Sequence, residues 1–118
     1  MNQSNFDHER LDVYRVSREH LALVVSTLPT LPASVWKRAD NLSRAAESIL
    51  NNVAEGAGKP AGSKDRRKFY AIANGSAKEC AAQWDILSIR GDVAEPTCLE
   101  ARQKLHRVVA MLTAMTYR

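Results

Sequence analysis

Lysine and arginine are concentrated in one short segment near the middle of the chain. Within ten residues it holds Lys59, Lys64, Arg66, Arg67 and Lys68, with Asp65 as the only acid. Proteins that contact the phosphates of RNA or DNA need this local density of cations. The segment therefore predicts a nucleic-acid contact. A solvated helix start of the same composition is the alternative interpretation.

A second set of polar residues shares one face of a predicted helix. Its members are three or four residues apart and lie beside an apolar seam: Asn41, Arg44, Ser48, Asn52 and Glu55. Ser76, Glu79 and Gln83 of the next helix are placed to meet this polar stripe. We interpret the stripe as a hydrogen-bond network between helices or subunits, because an unpaired buried polar group costs about 1–3 kcal/mol. A site for a small ligand or partner is the alternative.

Glu55 needs a compensating partner in either case. It falls in the last turn of its helix, where the helix dipole disfavours a carboxylate. We expect a cation or a set of N–H donors from the third helix or from a neighbouring subunit.

Other site chemistries are not indicated. The run Gly56-Ala57-Gly58-Lys59-Pro60-Ala61 matches a relaxed dinucleotide-binding pattern, but a helix precedes it and a proline interrupts it. The three histidines and two cysteines are not spaced as metal ligands. There is no aromatic platform for stacking bases. We expect no catalytic site, no metal and no cofactor.

Composition sets the broad class of the protein. The chain has 118 residues, 45% of them hydrophobic and 25% charged, and a net charge of +4. This is the size of one ordinary domain, spanning residues 1–118. The N-terminus has neither a basic start nor an apolar run, and no stretch is apolar enough for a membrane span. We expect a cytoplasmic protein with reduced cysteines.

Helical periodicity predicts four segments that must position these residues: about 7–28, 33–54, 63–90 and 97 to the end. The second carries a heptad-like apolar seam of Val35, Ala39, Leu42, Ala46, Ile49 and Val53. The inner face of the first is expected to be Leu11, Tyr14, Leu21, Val24, Val25 and Leu28. The inner face of the third is expected to be Phe69, Ile72, Ala73, Ser76, Cys80, Trp84 and Leu87, and that of the fourth Cys98, Ala101, Leu105, Val108, Leu112 and Met115. Short loops join the segments, so we predict an all-α, up-down-up-down antiparallel four-helix bundle.

Local signals predict where the helices begin and end. The first helix is expected to start at Asp7, with Phe6 packed on Leu11. The third is expected to start at Ser63, and the fourth at a capping box formed by Thr97 and Glu100. Gly56 and Gly58 are expected to end the second helix in the left-handed conformation. Gly75, in the middle of the third helix, predicts that a neighbouring helix passes close to it.

The second and third helices also carry strings that resemble a known family. The run R-A-A-E-S-I-L-N-N-V-A-E-G at 44–56 is similar to the R-A-A-x-S-I-x-x-N-I-A-E-G signature of the 23S rRNA intervening-sequence proteins. The run A-N-G-S-A-K-E at 73–79 resembles that family's A-x-G-S-x-x-E string. The sequence departs at Asn41, where glutamine is common, and at Val53, which replaces isoleucine.

The resemblance implies a four-helix bundle that assembles as a homopentamer and has no established enzymatic activity. Some members are encoded within insertions in the large ribosomal RNA gene, and a related branch assists the reverse transcriptases of diversity-generating retroelements. We therefore expect a non-enzymatic oligomeric adaptor that contacts RNA, DNA or a nucleoprotein through basic surface. A purely structural or protein-interaction module is the alternative.

Overall fold

Four long helices form the frame of the molecule in the computed structural model, which describes residues 6–117. They are α1 (Asp12–Thr27), α2 (Trp36–Ala57), α3 (Lys64–Arg90) and α4 (Glu95–Thr116). Short 3-10 turns precede α1 and join α1 to α2, at Asp7–Arg10, Leu28–Thr30 and Ala33–Val35. No strand occurs between residues 6 and 117. None of the described helices is both long and apolar enough to span a bilayer.

Hydrogen bonds between helices give their relative direction. Near one end, Arg38 of α2 donates to Gln83 of α3, and further along α2 the Ser48 hydroxyl meets that of Ser76. Later residues of α2 thus face earlier residues of α3. α3 and α4 run opposite in the same way: Asn74 bonds Thr113, and Asp85 bonds Arg102. The predicted antiparallel four-helix bundle is confirmed.

The core follows the predicted seams of α2, α3 and α4. Trp84 is the largest fully buried side chain. Around it are buried most of the predicted residues of the three helices: Leu42, Ala46, Ile49, Val53, Ala73, Cys80, Leu87, Cys98, Ala101, Leu105, Val108 and Leu112. Ile72, also predicted on the inner face of α3, is 43% exposed, so that part of the prediction is wrong. Spacings of three, four or seven residues place these side chains on one face of each helix, so the sequence pattern and the burial agree.

The first helix differs from its prediction in start and face. Leu11 is extended, with φ −85° and ψ 132°, so α1 begins at Asp12 and Asp7 starts only a 3-10 turn. The buried face of α1 includes two polar residues, Ser17 and His20, whereas Val25 is 58% exposed. Val24 is buried as predicted, and Leu11, Tyr14, Leu21 and Leu28 pack against the core, so Val25 is the one predicted residue on the wrong side. The prediction missed Ser17 and His20 because it counted only apolar residues.

Two other helix ends were predicted wrongly. Gly58 ends α2 in the right-handed conformation, with φ −81°, and the helix continues through Gly56 to Ala57. α4 begins at Glu95 with Pro96 in its first turn and no side-chain cap, so the predicted capping box is absent. Proline is tolerated in the first turn because that turn's N–H groups have no intrahelical acceptor.

The start of α3 agrees with the prediction from the sequence, and its end at Gly91 has a conformation typical of glycine. The Ser63 hydroxyl accepts the Arg66 backbone N–H at 3.1 Å, as expected of an N-cap. Gly91 ends the helix with φ +77°, a conformation that glycine adopts without steric cost.

The close approach predicted at Gly75 occurs at Gly56 instead. Nothing lies within 4 Å of the position where a Gly75 Cβ would be. At Gly56, a Cβ would lie 2.6 Å from the Tyr70 ring and 3.3 Å from the Arg66 carbonyl oxygen. Tyr70 is only 3% exposed, so its ring is fixed against this glycine. The prediction for Gly75 within one chain is wrong.

Candidate nucleic-acid interface and polar stripe

Arg66 closes the end of α2. Its Nε donates to the carbonyl oxygens of Gly56 and Lys59, each at 3.1 Å, and its Nη2 donates to that of Ala57 at 2.9 Å. Carbonyls at a helix C-terminus lack intrahelical partners, and a cation suits the negative end of the dipole. Arg66 therefore binds the α2–α3 connection to the start of α3.

The cations beside Arg66 face solvent. Lys64 and Lys68 are exposed, and neither they nor Arg67 lies within ion-pair distance of a carboxylate in residues 6–117. Arg67 is half-buried, and its Nη1 donates to the Gly62 carbonyl at 2.8 Å. The structure thus brings Lys64, Arg67 and Lys68 together on one fixed corner of the bundle. We call these three residues the basic corner.

Lys59 lies near this corner and makes two weak contacts, one with a carboxylate and one with an aromatic ring. Its ammonium is 4.0 Å from Glu55 and 5.5 Å from the centre of the Phe69 ring. A Lys–Glu pair at this distance on an exposed surface is weak, so Lys59 keeps most of its charge available to solvent.

The inner part of the polar stripe joins α2 to α3. The hydroxyls of Ser48 and Ser76 are 2.8 Å apart and share a hydrogen bond. The Asn52 side-chain amide donates to the Ser48 carbonyl at 2.8 Å and to the Ser48 hydroxyl at 3.1 Å. These three side chains have the contacts of a network that sets the register of two helices.

The outer part of the stripe is not brought into this network. Asn41, Arg44, Glu55 and Glu79 are exposed. Arg44 pairs with Asp40 at 2.9 Å on the same helix. The cation that pairs with Glu55 is Lys59, one turn along its own segment, and among residues 6–117 no cation of the third helix lies within ion-pair distance of it.

A cleft of about 580 Å³ opens beside Glu55. The end of α2 supplies Asn51, Glu55 and Lys59, and the turn before α1 supplies Phe6 and His8. Glu55 therefore borders open space that is lined by both charges and an aromatic ring.

A buried pair at the centre of the bundle was missed by sequence reasoning. The Trp84 indole N–H donates to His20 Nε2 at 2.9 Å, and both residues are fully buried. Burial, with a smaller contribution from the nearby Lys104, lowers the pKa of His20 to about 4. The only signal was spacing, since His20 follows Val16 and precedes Val24 by four residues.

The thiols are held in their protonated form. Burial raises the pKa of Cys80 to about 12, helped by the charge of Glu79, and burial also raises that of Cys98. A thiol in this state is a poor nucleophile and a poor metal ligand. In the stretch from residue 6 to 117, His, Cys, Asp and Glu do not gather in threes that could hold a metal ion.

The fold and these sites define a helical-bundle protein with a fixed basic corner and a hydrogen-bonded seam between α2 and α3. Residues 9–114 match the family model of the 23S rRNA-intervening sequence protein, and the chain belongs to that family. The resemblance found in the sequence is thus confirmed, while the relation to retroelement accessory proteins stays a prediction. Among curated proteins, none matches this chain.

Proposed function

We propose that this protein is a non-enzymatic, cytoplasmic oligomer that binds nucleic acid or a nucleoprotein electrostatically through its basic corner. The assembly is a homopentamer, as the family resemblance implies. Five chains at +4 each would carry +20, and the corner would recur once per subunit. Repeated weak contacts to one strand add through effective concentration.

The observation that carries this proposal is the position of the unpaired cations. Arg66 fixes the α2–α3 connection through three carbonyl bonds, so Lys64, Arg67 and Lys68 project from an ordered surface. Cations without carboxylate partners are free to neutralise phosphates and to release the counterions that drive binding. With no base-reading motif, sequence preference is expected to be slight.

Exposed apolar side chains support the oligomer. Val25, Trp36, Ile89 and Leu99 are 55–85% exposed. They lie near the C-termini of α1 and α3 and the N-termini of α2 and α4, so the antiparallel order places all four at one end of the bundle. Large apolar side chains grouped on a surface are typical of an interaction site.

The test is a titration of mixed-sequence RNA and DNA at two salt concentrations. We expect Lys64→Ala/Lys68→Ala to bind more weakly and with a shallower salt dependence, by roughly 0.9 log units for each duplex phosphate that is no longer neutralised. Arg66 is left intact because it caps α2. The matched control is Arg18→Ala/Lys37→Ala, which removes two exposed, unpaired cations elsewhere.

An equal decrease in affinity in both variants would make the effect one of net charge alone. No binding of the wild type at low salt would remove the nucleic-acid role. The exposed apolar end would then favour the second candidate, a protein-interaction module.

A further inference from the structure

A groove on the outer face of α3 and α4 combines an apolar floor with basic walls. Its volume is about 570 Å³. Ala81 of α3 and Val109 of α4 are half-buried in the floor, and Leu105 lies beneath them, fully buried. The hydrogen bonds from Asn74 to Thr113 and from Arg102 to Asp85 lie on either side of it along the two helices.

The charges that line this groove are all positive. They are those of Lys78 on α3 and of Arg102 and Arg107 on α4, and Lys78 and Arg107 are exposed to solvent. No carboxylate lines the groove, and neither Lys78 nor Arg107 has an ion-pair partner among residues 6–117. By contrast Arg102, at one end, is neutralised by Asp85 at 2.8 Å. The groove therefore offers free cations beside an aliphatic strip.

We propose that this groove binds an acidic amphipathic helix of a partner protein. Apolar side chains of that helix pack on Ala81 and Val109, while carboxylates on the two sides of its apolar face pair with Lys78 and Arg107. The lining of α4 from Arg102 to Val109 spans about two helical turns, roughly 10 Å, which suits a helix laid into a groove. Opposite charge across the interface fixes its orientation.

The floor argues against a nucleic acid as the occupant. Bases are held chiefly by stacking on the rings of Phe, Tyr or Trp, and none of these three residue types is in the lining of the groove, where the one ring is the imidazole of His106. Aliphatic carbon gains most by covering other aliphatic carbon. The groove shares no residue with the basic corner, so this proposal goes beyond the proposed function and stands or falls separately from it.

The probe is a fluorescein-labelled peptide of about 18 residues of Leu, Ala and Glu, long enough to form a helix, with leucines three and four residues apart. Fluorescence anisotropy measures its binding to the full-length protein. We expect Lys78→Glu/Arg107→Glu to weaken binding by about tenfold or more. The control, Arg18→Glu/Lys37→Glu, has the same charge change on exposed sites and should alter affinity by less than about twofold.

Ala81→Gln provides a second variant, since its longer polar side chain would occupy the floor. We expect it to weaken peptide binding without a change in net charge. Thermal melts of all variants show that each is folded.

Several results would overturn the proposal. One is equal binding of a peptide with the same composition but its leucines scattered around the helix; another is no binding of either peptide. A third is RNA that displaces the peptide and itself binds the groove variant more weakly. The last is a change of oligomeric mass in Lys78→Glu/Arg107→Glu, because the groove would then be a contact between copies.

Discussion

At the scale of single residues, chemically similar side chains have different tasks in this protein. Arg66 and Arg67 are neighbours in the sequence, yet Arg66 makes two bonds to the end of α2 and one to the following loop, whereas Arg67 makes one bond to a loop carbonyl. His20 is in the core, and His106 is on the surface. Residue type alone therefore does not separate a structural cation from one that is free to bind.

His20 should make the fold sensitive to mild acid. Its pKa is lowered from 6.5 to about 4 by burial, so the unfolded chain binds a proton between these values and the folded chain does not. The effect of His20 on the free energy of unfolding is therefore absent above about pH 6.5, and it lowers that free energy as the pH drops towards 4. Each pH unit in this window is worth about 1.4 kcal/mol, so the decrease should reach roughly 3 kcal/mol.

Urea unfolding at a series of pH values measures this effect. His20→Gln cannot titrate and should remove most of the slope between pH 6.5 and 4. The exposed His106→Gln should keep it. The same slope in both variants would show that His20 does not carry the pH dependence.

At the scale of helices, Gly56 and Gly75 differ in their surroundings: Gly56 is packed against a neighbouring helix and Gly75 is not. Gly56 is where α2 meets Tyr70 of α3, and small side chains such as Ala73 and Ala77 continue the buried face of α3. The Ser48–Ser76 hydrogen bond lies further along the same pair of helices. Gly75 is exposed and has nothing near it. The contact between α2 and α3 therefore depends on Gly56 and not on Gly75.

Alanine at these two positions should change stability in opposite directions. Gly56→Ala adds a methyl group against a fixed ring, and overpacking of this kind costs about 1–3 kcal/mol. Gly75→Ala should stabilise by up to about 1 kcal/mol, because alanine is the better helix former and has free space. Urea unfolding measures both, with light scattering to show unchanged assembly. Destabilisation by Gly75→Ala would mean that another subunit covers this position.

At the scale of the whole molecule, three exposed surfaces differ in charge and polarity. One corner is basic, one end carries exposed apolar side chains, and the groove between α3 and α4 joins both properties. Each lies on a different part of the bundle, so the three proposed contacts would not compete for the same residues.

The apolar end should be where subunits meet. We expect light scattering to give a mass five times the 13.1 kDa of one chain. Ile89→Glu, at an 85% exposed position, should shift the protein towards smaller species because it buries a charge in the contact. Tyr117→Glu, 81% exposed at the opposite end, is the control and should leave the mass unchanged. A wild-type monomer at micromolar concentration would contradict the pentamer.

The order of the four helices and the inner faces of α2 and α4 were determined by local pattern. The seam from Leu42 to Val53 predicted burial because helical spacing brings residues three and four apart to one side. The strings at 44–56 and 73–79 predicted the family because a sequence motif consists of residues that follow one another along the chain. The cap at Ser63 is also local, formed within three residues.

Only the tertiary structure decided which residues meet across the chain. The approach of Tyr70 to Gly56, the reach of Arg66 over nine and ten residues, and the bond between His20 and Trp84 all join positions whose separation carries no periodic signal. The groove between α3 and α4 depends likewise on two helices lying side by side. Periodicity tells which side of a helix faces inward, but the partner on that side is set by how four faces pack together.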